Sequence, residues 1–382
     1  MSLTVSTLVG IEKIVTFLLM LSVLVVLHEL GHFVLARRNG VRVNEFAIGM
    51  GPKLFGWKSP RSGTLYSLRA LPIGGYCAMQ GEDGKTSEAE QQREFRVGGA
   101  DDDNFQAKSA WRRLAIVLAG PAANFILCYA ILLIGALSFG VIGAGSHGVV
   151  QPVVGIVVPG SPAAVAGLKI GDRIVELDGV AVTSGEKLID GIHRSLGKRL
   201  DLVYLRNGAR NEVYVTSESC AHLGNAGAKK LGCIGFTPVP QYERVGFPEA
   251  VRQSGIEFAG IADQTVGSIV LLVTHFTKYA PQISGVIGMG QVATTIQDWG
   301  WGPYLWLAAT ISFALGLFNL LPIPALDGGR AAFIVAELVR GKPVDPEKEA
   351  MVHIAGFAAL MALMLLIAFH DIARIASGNG VM

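Results

Sequence analysis

The chain has 382 residues, 51% of them hydrophobic and 16% charged, and its mean hydropathy of +0.46 exceeds what the surface of a water-soluble fold tolerates. A formal charge of +2 provides no sustained basic field for a nucleic-acid backbone, which excludes DNA and RNA as partners. Four cysteines are too few for a disulfide scaffold or a thiolate metal cage. The composition is that of an integral membrane protein.

A spanning helix needs about 20 largely apolar residues, because the hydrocarbon layer is about 30 Å thick and each residue rises about 1.5 Å. Four segments meet that length: 11–36, 114–142, 304–321 and 354–372. In chain order, residues 1–40 form the first span, expected to be retained because it lacks a basic leader and a small-residue cleavage site. Residues 41–80 alternate apolar and polar side chains between glycines and prolines, which predicts a small membrane-associated β region. Residues 81–112 form a polar loop, flexible over 81–103, and 113–145 hold the second span.

Residues 148–240 read as a soluble module of short strands. The stretch GIVVPGSPAAVAGLKIGDRIVELDGVAV, with Gly160, Ser161, Pro162 and Ala163, then Ala166, Gly167 and Leu168, then Gly171 and Asp172, resembles the PDZ domains attached to bacterial proteases. Such a fold offers a strand edge to an extended peptide, although a spacer or steric gate fits the same pattern. Cys220 and Cys233 bracket a loop in this module and are either paired or two free thiols; Cys77 and Cys128 are expected to be packed and reduced. Residues 241–302 are expected to be an amphipathic connection, whose apolar run 266–276 is too short to span. Residues 303–329 hold the third span and the Leu-Asp-Gly sequence, 330–352 a cytoplasmic loop, and 353–375 the fourth span.

Lysine and arginine close to a span tend to stay in the cytoplasm. Arg37 and Arg38 follow span 1, Arg112 and Arg113 precede span 2, and Arg330, Arg340, Lys342 and Lys348 lie between spans 3 and 4. Both termini and the PDZ-like module are therefore expected outside the cytoplasm.

Within the first span stands VVLHELGHFVLARR, residues 25–38. On a helix His28 and His32 share one face, one turn apart, so both imidazoles can reach one zinc ion, while Glu29 can address water at the metal without ligating it. As a short string HExxH is only moderately specific. Ionisable groups inside a span are costly, however, and usually mark function. A catalytic zinc takes a third protein ligand. The candidate is Asp327 in FNLLPIPALDGG; alone it would be a turn aspartate before two glycines, but spans 1 and 3 run in the same direction and place it at the depth of the histidines. Pro322 and Pro324 cannot continue span 3 as regular helix, and irregular backbone at membrane depth needs protein or water to cover it. Asn124 and Asn319 lie in or near spans: Asn124 is expected to bond between helices, and Asn319 to do that or to meet substrate backbone. His275, His353, His370 and Asp371 are expected to be interfacial.

Together these motifs resemble the site-2 protease family of intramembrane metalloproteases, in its bacterial regulator-of-sigma-E protease branch. The resemblance runs through HELGH at 28–32, IGMGPKLFGW at 48–57, LPIGGY at 71–76, GPAANF at 120–125, the PDZ module, ISGVIGM at 283–289, NLLPIPALDGG at 319–329 and the last span. It implies zinc (Zn2+) bound by His28, His32 and Asp327, with Glu29 as acid/base. It also implies a strand edge over 71–79 that holds substrate, including Leu71, Gly74, Gly75 and Tyr76, with Asn319 and Pro324 nearby. The implied substrates are membrane proteins cut within a transmembrane helix, either an anti-sigma factor stub after an earlier cut or a remnant signal peptide, in the bacterial inner membrane. Three features depart from the family pattern: a single PDZ module, the cysteine-bracketed loop, and Val286 where proline is expected. The competing reading is a non-catalytic membrane anchor displaying a PDZ module to bind peptide partners. The oligomeric state stays open.

Overall fold

A computed structural model of the protein describes residues 2–82, 103–142, 150–158, 160–220, 230–240, 242–279, 285–342 and 344–376; the flexible stretch expected over 81–103 falls mostly outside them. Two compact units emerge, one from residues 1–134 with 254–381, the other from 135–253.

In the first unit, helix α1 (Ser2–Arg38) is unbroken because it contains no proline. It stops at Asn39-Gly40, where Gly40 takes the left-handed conformation (φ +71°) that ends many helices. Strands β1 (Val43–Lys58) and β2 (Leu65–Met79) are both bent, so that four segments form one curled sheet. Glu45 pairs with Ala78 on one side and Leu65 on the other; Tyr66 likewise pairs with Phe46 and Trp57. The order is therefore 53–58, 65–69, 43–50, 71–79, which leaves 71–79 as an edge with no further strand partner among the described residues. Gly49 permits the bend, with φ +83° and the Leu71 carbonyl against its Cα. Leu54, Phe55, Trp57 and Leu71 of this sheet are exposed, apolar side chains suited to lipid. Residues 103–109, expected to be loop, are anchored by the buried Phe105, which packs with Ala36, Val43, Ile116 and Ile334. Helix α2 (Ala110–Phe139) then crosses α1 so closely that a Cβ on Gly31 would overlap the Ala119 carbonyl.

The second unit is the β-rich module. Strands β3 (Val141–Ile142) and β12 (Tyr242–Glu243) pair at its base. Between them lie β4 (Val150–Val157), β5 (Arg173–Leu177), β6 (Val180–Ala181), β7 (Arg199–Arg206), β8 (Ala209–Thr216), β9 (Glu218–Ser219), β10 (Gly232–Cys233) and β11 (Phe236–Pro240), with helices α3 (Pro162–Val165) and α4 (Gly185–His193). The main sheet runs β11-β4-β5-β7-β8, with β6 against β5, over a core that includes Val154, Ile174, Leu188, Leu202 and Ile234. The PDZ-like motif explains itself locally. Ser161 caps α3 by accepting from the Ala164 amide, and Pro162 opens the helix. Asp172, 1% exposed, accepts from Arg206 at 2.8 and 2.7 Å and from the Lys169 amide at 2.7 Å. Edge strand β11 and α4 line a groove of about 190 Å³. Cys220 and Cys233 are disulfide-bonded, with Cα atoms 4.9 Å apart, which settles the alternative left open by spacing. Cys77 and Cys128 are buried thiols, as expected.

The chain returns to the first unit through α5 (Phe247–Thr274), then α6 (Phe276–Tyr279), α7 (Val286–Gln297), α8 (Trp301–Leu320), α9 (Asp327–Arg340) and α10 (Pro346–Ala376). Three expectations need correction. Most of the run 266–276 is the end of a 28-residue helix that closes at Thr274, so five described helices, not four, are long and apolar enough to cross a membrane; Glu257, Asp263 and Gln264 interrupt the apolar stretch without breaking the backbone helix. The segment 330–352, read as loop, contains most of α9, an amphipathic helix that buries Ala331 and Ile334. Asp371 is not interfacial. It is fully buried, accepting from the Gly285 and Gly288 amides at 2.9 and 3.0 Å at the start of α7.

Phe17 of α1 clusters with Tyr304 and Leu307 of α8, while toward the other ends of these helices His28 of α1 and Gly316 of α8 both meet Asn124 of α2. Helices α1 and α8 are thus parallel. Helix α2 is antiparallel to both, since Asn124 meets Ser312 while Leu132 clusters with Ala309.

Closing a loop of this length by a disulfide stabilises by about 3 kcal/mol. Reduction, or the pair Cys220→Ser and Cys233→Ser, is therefore expected to lower the unfolding midpoint of the PDZ module in the full chain and to speed its proteolysis.

Candidate metal centre

Helical spacing puts His28 and His32 on one face of α1, and the structure adds Asp327 as the first residue of α9. The two Nε2 atoms are 3.2 Å apart, and Asp327 Oδ2 lies 3.1 Å from His28 Nε2 and 3.2 Å from His32 Nε2. A tetrahedral zinc with ligands at about 2.0–2.1 Å separates its ligand atoms by about 3.3 Å. Two neutral imidazoles and a carboxylate at these separations fit zinc. His32 Nδ1 donates to the Ile116 carbonyl at 2.9 Å, which leaves its Nε2 lone pair free to face the centre. Among the described residues the other convergence of possible ligands is His193 with Cys220 and Cys233, whose sulfurs are spent in the disulfide.

Backbone closeness builds this centre. A Cβ on Gly120 would overlap His32 Nε2 and stand 2.8 Å from His28 Nε2, so α2 supplies a flat wall. Gly328 and Gly329 let α9 fold back on the end of α8: a Cβ on either would strike the carbonyls of Leu321 or Ile323. Helix α8 ends at Leu320, just before Pro322 and Pro324, as their missing amides require. In the turn that follows, Ala325 holds φ +77°, a strained value for a residue with a Cβ. Its amide donates to His353 Nδ1 at 3.0 Å, and Gly356 lies against Pro324. Helix α10 therefore clamps the turn that carries Asp327, and His353 is a structural partner rather than an interfacial residue. His370 and His275 are exposed.

Glu29 sits beside the ligands with the Cys77 backbone of β2 in hydrogen-bond reach. That contact brings the 71–79 edge to the centre, and Gly75 packs against Val26 of α1. Gly74 and Gly75 are buried, Leu71 is 54% exposed, and the Tyr76 hydroxyl is bound by Arg69, which also holds Glu45 at 2.8 Å. Asn319 Nδ2 donates to the Leu315 carbonyl of its own helix at 3.0 Å. Asn124 does bond between helices, and to one of the candidate ligands: its Nδ2 is 3.1 Å from His28 Nδ1. The signal for that contact was present, because Asn124 stands one turn after Gly120 on the same face of α2.

A HExxH helix and a distant carboxylate, converging among apolar helices, define a zinc metalloprotease of the intramembrane class. Residues 16–363 match Peptidase family M50. The zinc metalloprotease RasP of Bacillus licheniformis is 32% identical over 95% of this chain and 99% of its own length. A putative zinc metalloprotease of Clostridium acetobutylicum is 35% identical over 94% and 97%, and the regulator of sigma-W protease RasP of Bacillus subtilis 29% over 96% and 99%. Among solved structures, the PDZ domain of an SdrC-like protein from Listeria monocytogenes is 26% identical over 26% of this chain and 94% of that one, with a TM-score of 0.20. The chain belongs to Peptidase family M50, the site-2 protease family.

Gly120→Ala forces a methyl into the imidazole of His32 and is expected to abolish zinc binding, measured as metal content of the purified full chain, while the helical content of the protein is retained.

Proposed function

We propose that His28, His32 and Asp327 hold the zinc of this metalloprotease and that Glu29 is its general base and acid, hydrolysing a peptide bond inside a transmembrane segment of another membrane protein. The observation that carries this reading is the convergence of three ligand atoms at 3.1–3.2 Å beside a glutamate that addresses the same space. Zinc, when bound there, supplies a Lewis acid that polarises the scissile carbonyl and makes water easier to deprotonate. The Glu29 carboxylate takes the proton of the attacking water and delivers it to the leaving amine nitrogen.

A helical substrate hides its carbonyls in its own hydrogen bonds, so it must unwind locally before attack. Pairing of the unwound segment with the 71–79 edge replaces the lost bonds. In this arrangement Leu71, Gly74, Gly75 and Tyr76 lie along the held segment, and Asn319 and Pro324 border it. The substrate class we favour is an anti-sigma factor stub left by an earlier cut, which the name of the Bacillus subtilis relative supports; remnant signal peptides are the second class. The PDZ groove serves peptide binding by strand addition or acts as a size filter. A non-catalytic anchor gives no role to Glu29.

Four helices cross the membrane in this reading. Strand β12, just before α5, pairs with β3, just after α2, so α5 starts where α2 exits. The end of α7 meets the early part of α1, with Gln297 donating to the Lys13 carbonyl at 3.1 Å and Asp298 pairing with Lys13 at 2.6 Å. The connection from α5 to α8 thus begins and ends on one side. A crossing by α5 would need a return that α7, 12 residues or about 18 Å long, is too short to make. Charge at the junctions puts the termini and the PDZ module outside the cytoplasm, in a bacterial inner membrane.

Glu29→Gln is expected to retain zinc and to lower cleavage of a membrane-protein substrate by 10²-fold or more; unchanged turnover would remove the acid/base assignment. A proline scan over 71–79 is expected to slow cleavage about 10-fold at positions that donate toward substrate, with bound zinc unchanged. Equal turnover at every position would remove the strand-pairing step.

A further inference from the structure

Asn124 is fully buried, and its place is fixed from three sides. Its backbone carbonyl accepts from Ser312 Oγ of α8 at 2.9 Å. Gly316 lies so near that a Cβ there would stand 3.1 Å from Asn124 Cβ. Its side-chain Nδ2 is 3.1 Å from His28 Nδ1, whereas its Oδ1 is buried without a hydrogen-bond partner. A buried amide with one end bonded to a ligand imidazole and the other end unmatched is costly unless the second end has a use.

Imidazole tautomerism supplies one. With Nδ2 donating to His28 Nδ1, the ring proton sits on Nε2 and points at Asp327 Oδ2, 3.1 Å away. A metal at Nε2 requires the opposite tautomer, with the proton on Nδ1 and an acceptor to receive it. Rotation of the Asn124 amide by about 180° about Cβ–Cγ brings Oδ1 to that proton without moving the backbone, and amide nitrogen and oxygen are nearly equal in size. The protein has no need to rearrange a helix to change the tautomer.

We propose that Asn124 is a positioning residue for the metal centre: its amide serves His28 as donor in one orientation and as acceptor in the other, and the acceptor orientation holds the His28 tautomer that binds zinc. This rests on the reading that His28, His32 and Asp327 are the zinc ligands. Asn124 touches neither metal nor substrate.

The test uses the full chain in detergent, with zinc affinity measured by chelator competition and folding followed by thermal unfolding. Asn124→Leu fills the space without an acceptor and is expected to weaken zinc binding by about 10–100-fold. Asn124→Asp, which can only accept in its ionised form, is expected to bind zinc within about threefold of the native chain, the reverse of what a packing role predicts for a new buried charge. Ser312→Ala, which removes the backbone anchor alone, is also expected to stay within threefold. Zinc binding by Asn124→Leu equal to native, or by Asn124→Asp as weak as Asn124→Leu, overturns the proposal. Should Asn124→Leu fail to fold, Asn124→Ala replaces it in the same comparison. His28→Ala separates the two levels: native affinity in that variant overturns the ligand assignment itself, whereas loss of zinc there with full affinity in Asn124→Leu overturns only the role of Asn124.

Discussion

Two imidazole nitrogens and a carboxylate oxygen come within 3.2 Å of one another among apolar helices, and most of the architecture follows from bringing them there. Two imidazoles and a carboxylate in such surroundings lose their hydration, so each must find partners at once. They find them in one another and in groups that other helices present edge-on: the Ile116 carbonyl and the Asn124 amide, both from α2. That arrangement demands that backbones approach closer than ordinary side chains permit. Gly31, Gly120 and Gly316 stand at the crossings of α1, α2 and α8, where a single added methyl would push a helix away from the metal site.

The second constraint is the interrupted helix. Asp327 has to leave the axis of α8 and turn back toward α1, which regular helix cannot do. The two prolines end α8, the glycines at 328 and 329 let α9 start against it, and the strain at Ala325 is held by His353 from α10. The Ala325 amide freed by that break finds a partner in His353, and partners supplied by protein are the condition under which irregular structure survives at membrane depth. The curled sheet of β1 and β2 meets the same condition from the other side: its apolar outer residues suit lipid, while its last segment brings a strand edge to Glu29. In the function proposed above, such an edge offers backbone partners to a substrate helix that has unwound.

The PDZ module obeys different rules. It has its own core, its own helix caps and a disulfide, the devices of a small domain that folds by burial in water. Its groove beside β11 contains Pro238, and Pro240 ends the strand; neither offers an amide, so fewer backbone bonds are available to a peptide there than in a strand without prolines.

Local chemistry makes much of this legible in the sequence. Hydropathy over windows of about 20 residues, the four-residue spacing of the histidines and the two prolines after span 3 depend only on neighbours in the chain, and each reappears in the structure where it was expected. Parallel direction of the first and third spans was also enough to nominate Asp327, 295 positions from His32 in sequence yet in contact with it. What stayed hidden depends on packing between distant elements. Charged residues inside α5 concealed a long helix, because hydropathy scores side chains while helix continuity belongs to the backbone. Asp371 stands near a span end in sequence, yet it is buried against the amides at the start of α7. Asn124 could be placed on a face of α2 from sequence, but which ring nitrogen it meets is set by the crossing angle and distance of three helices. Residue order determined the kinds of helix, turn and ligand; only the tertiary fold decided which polar atoms come within 3.2 Å of one another, because that distance depends on every close contact between helices rather than on any one stretch of chain.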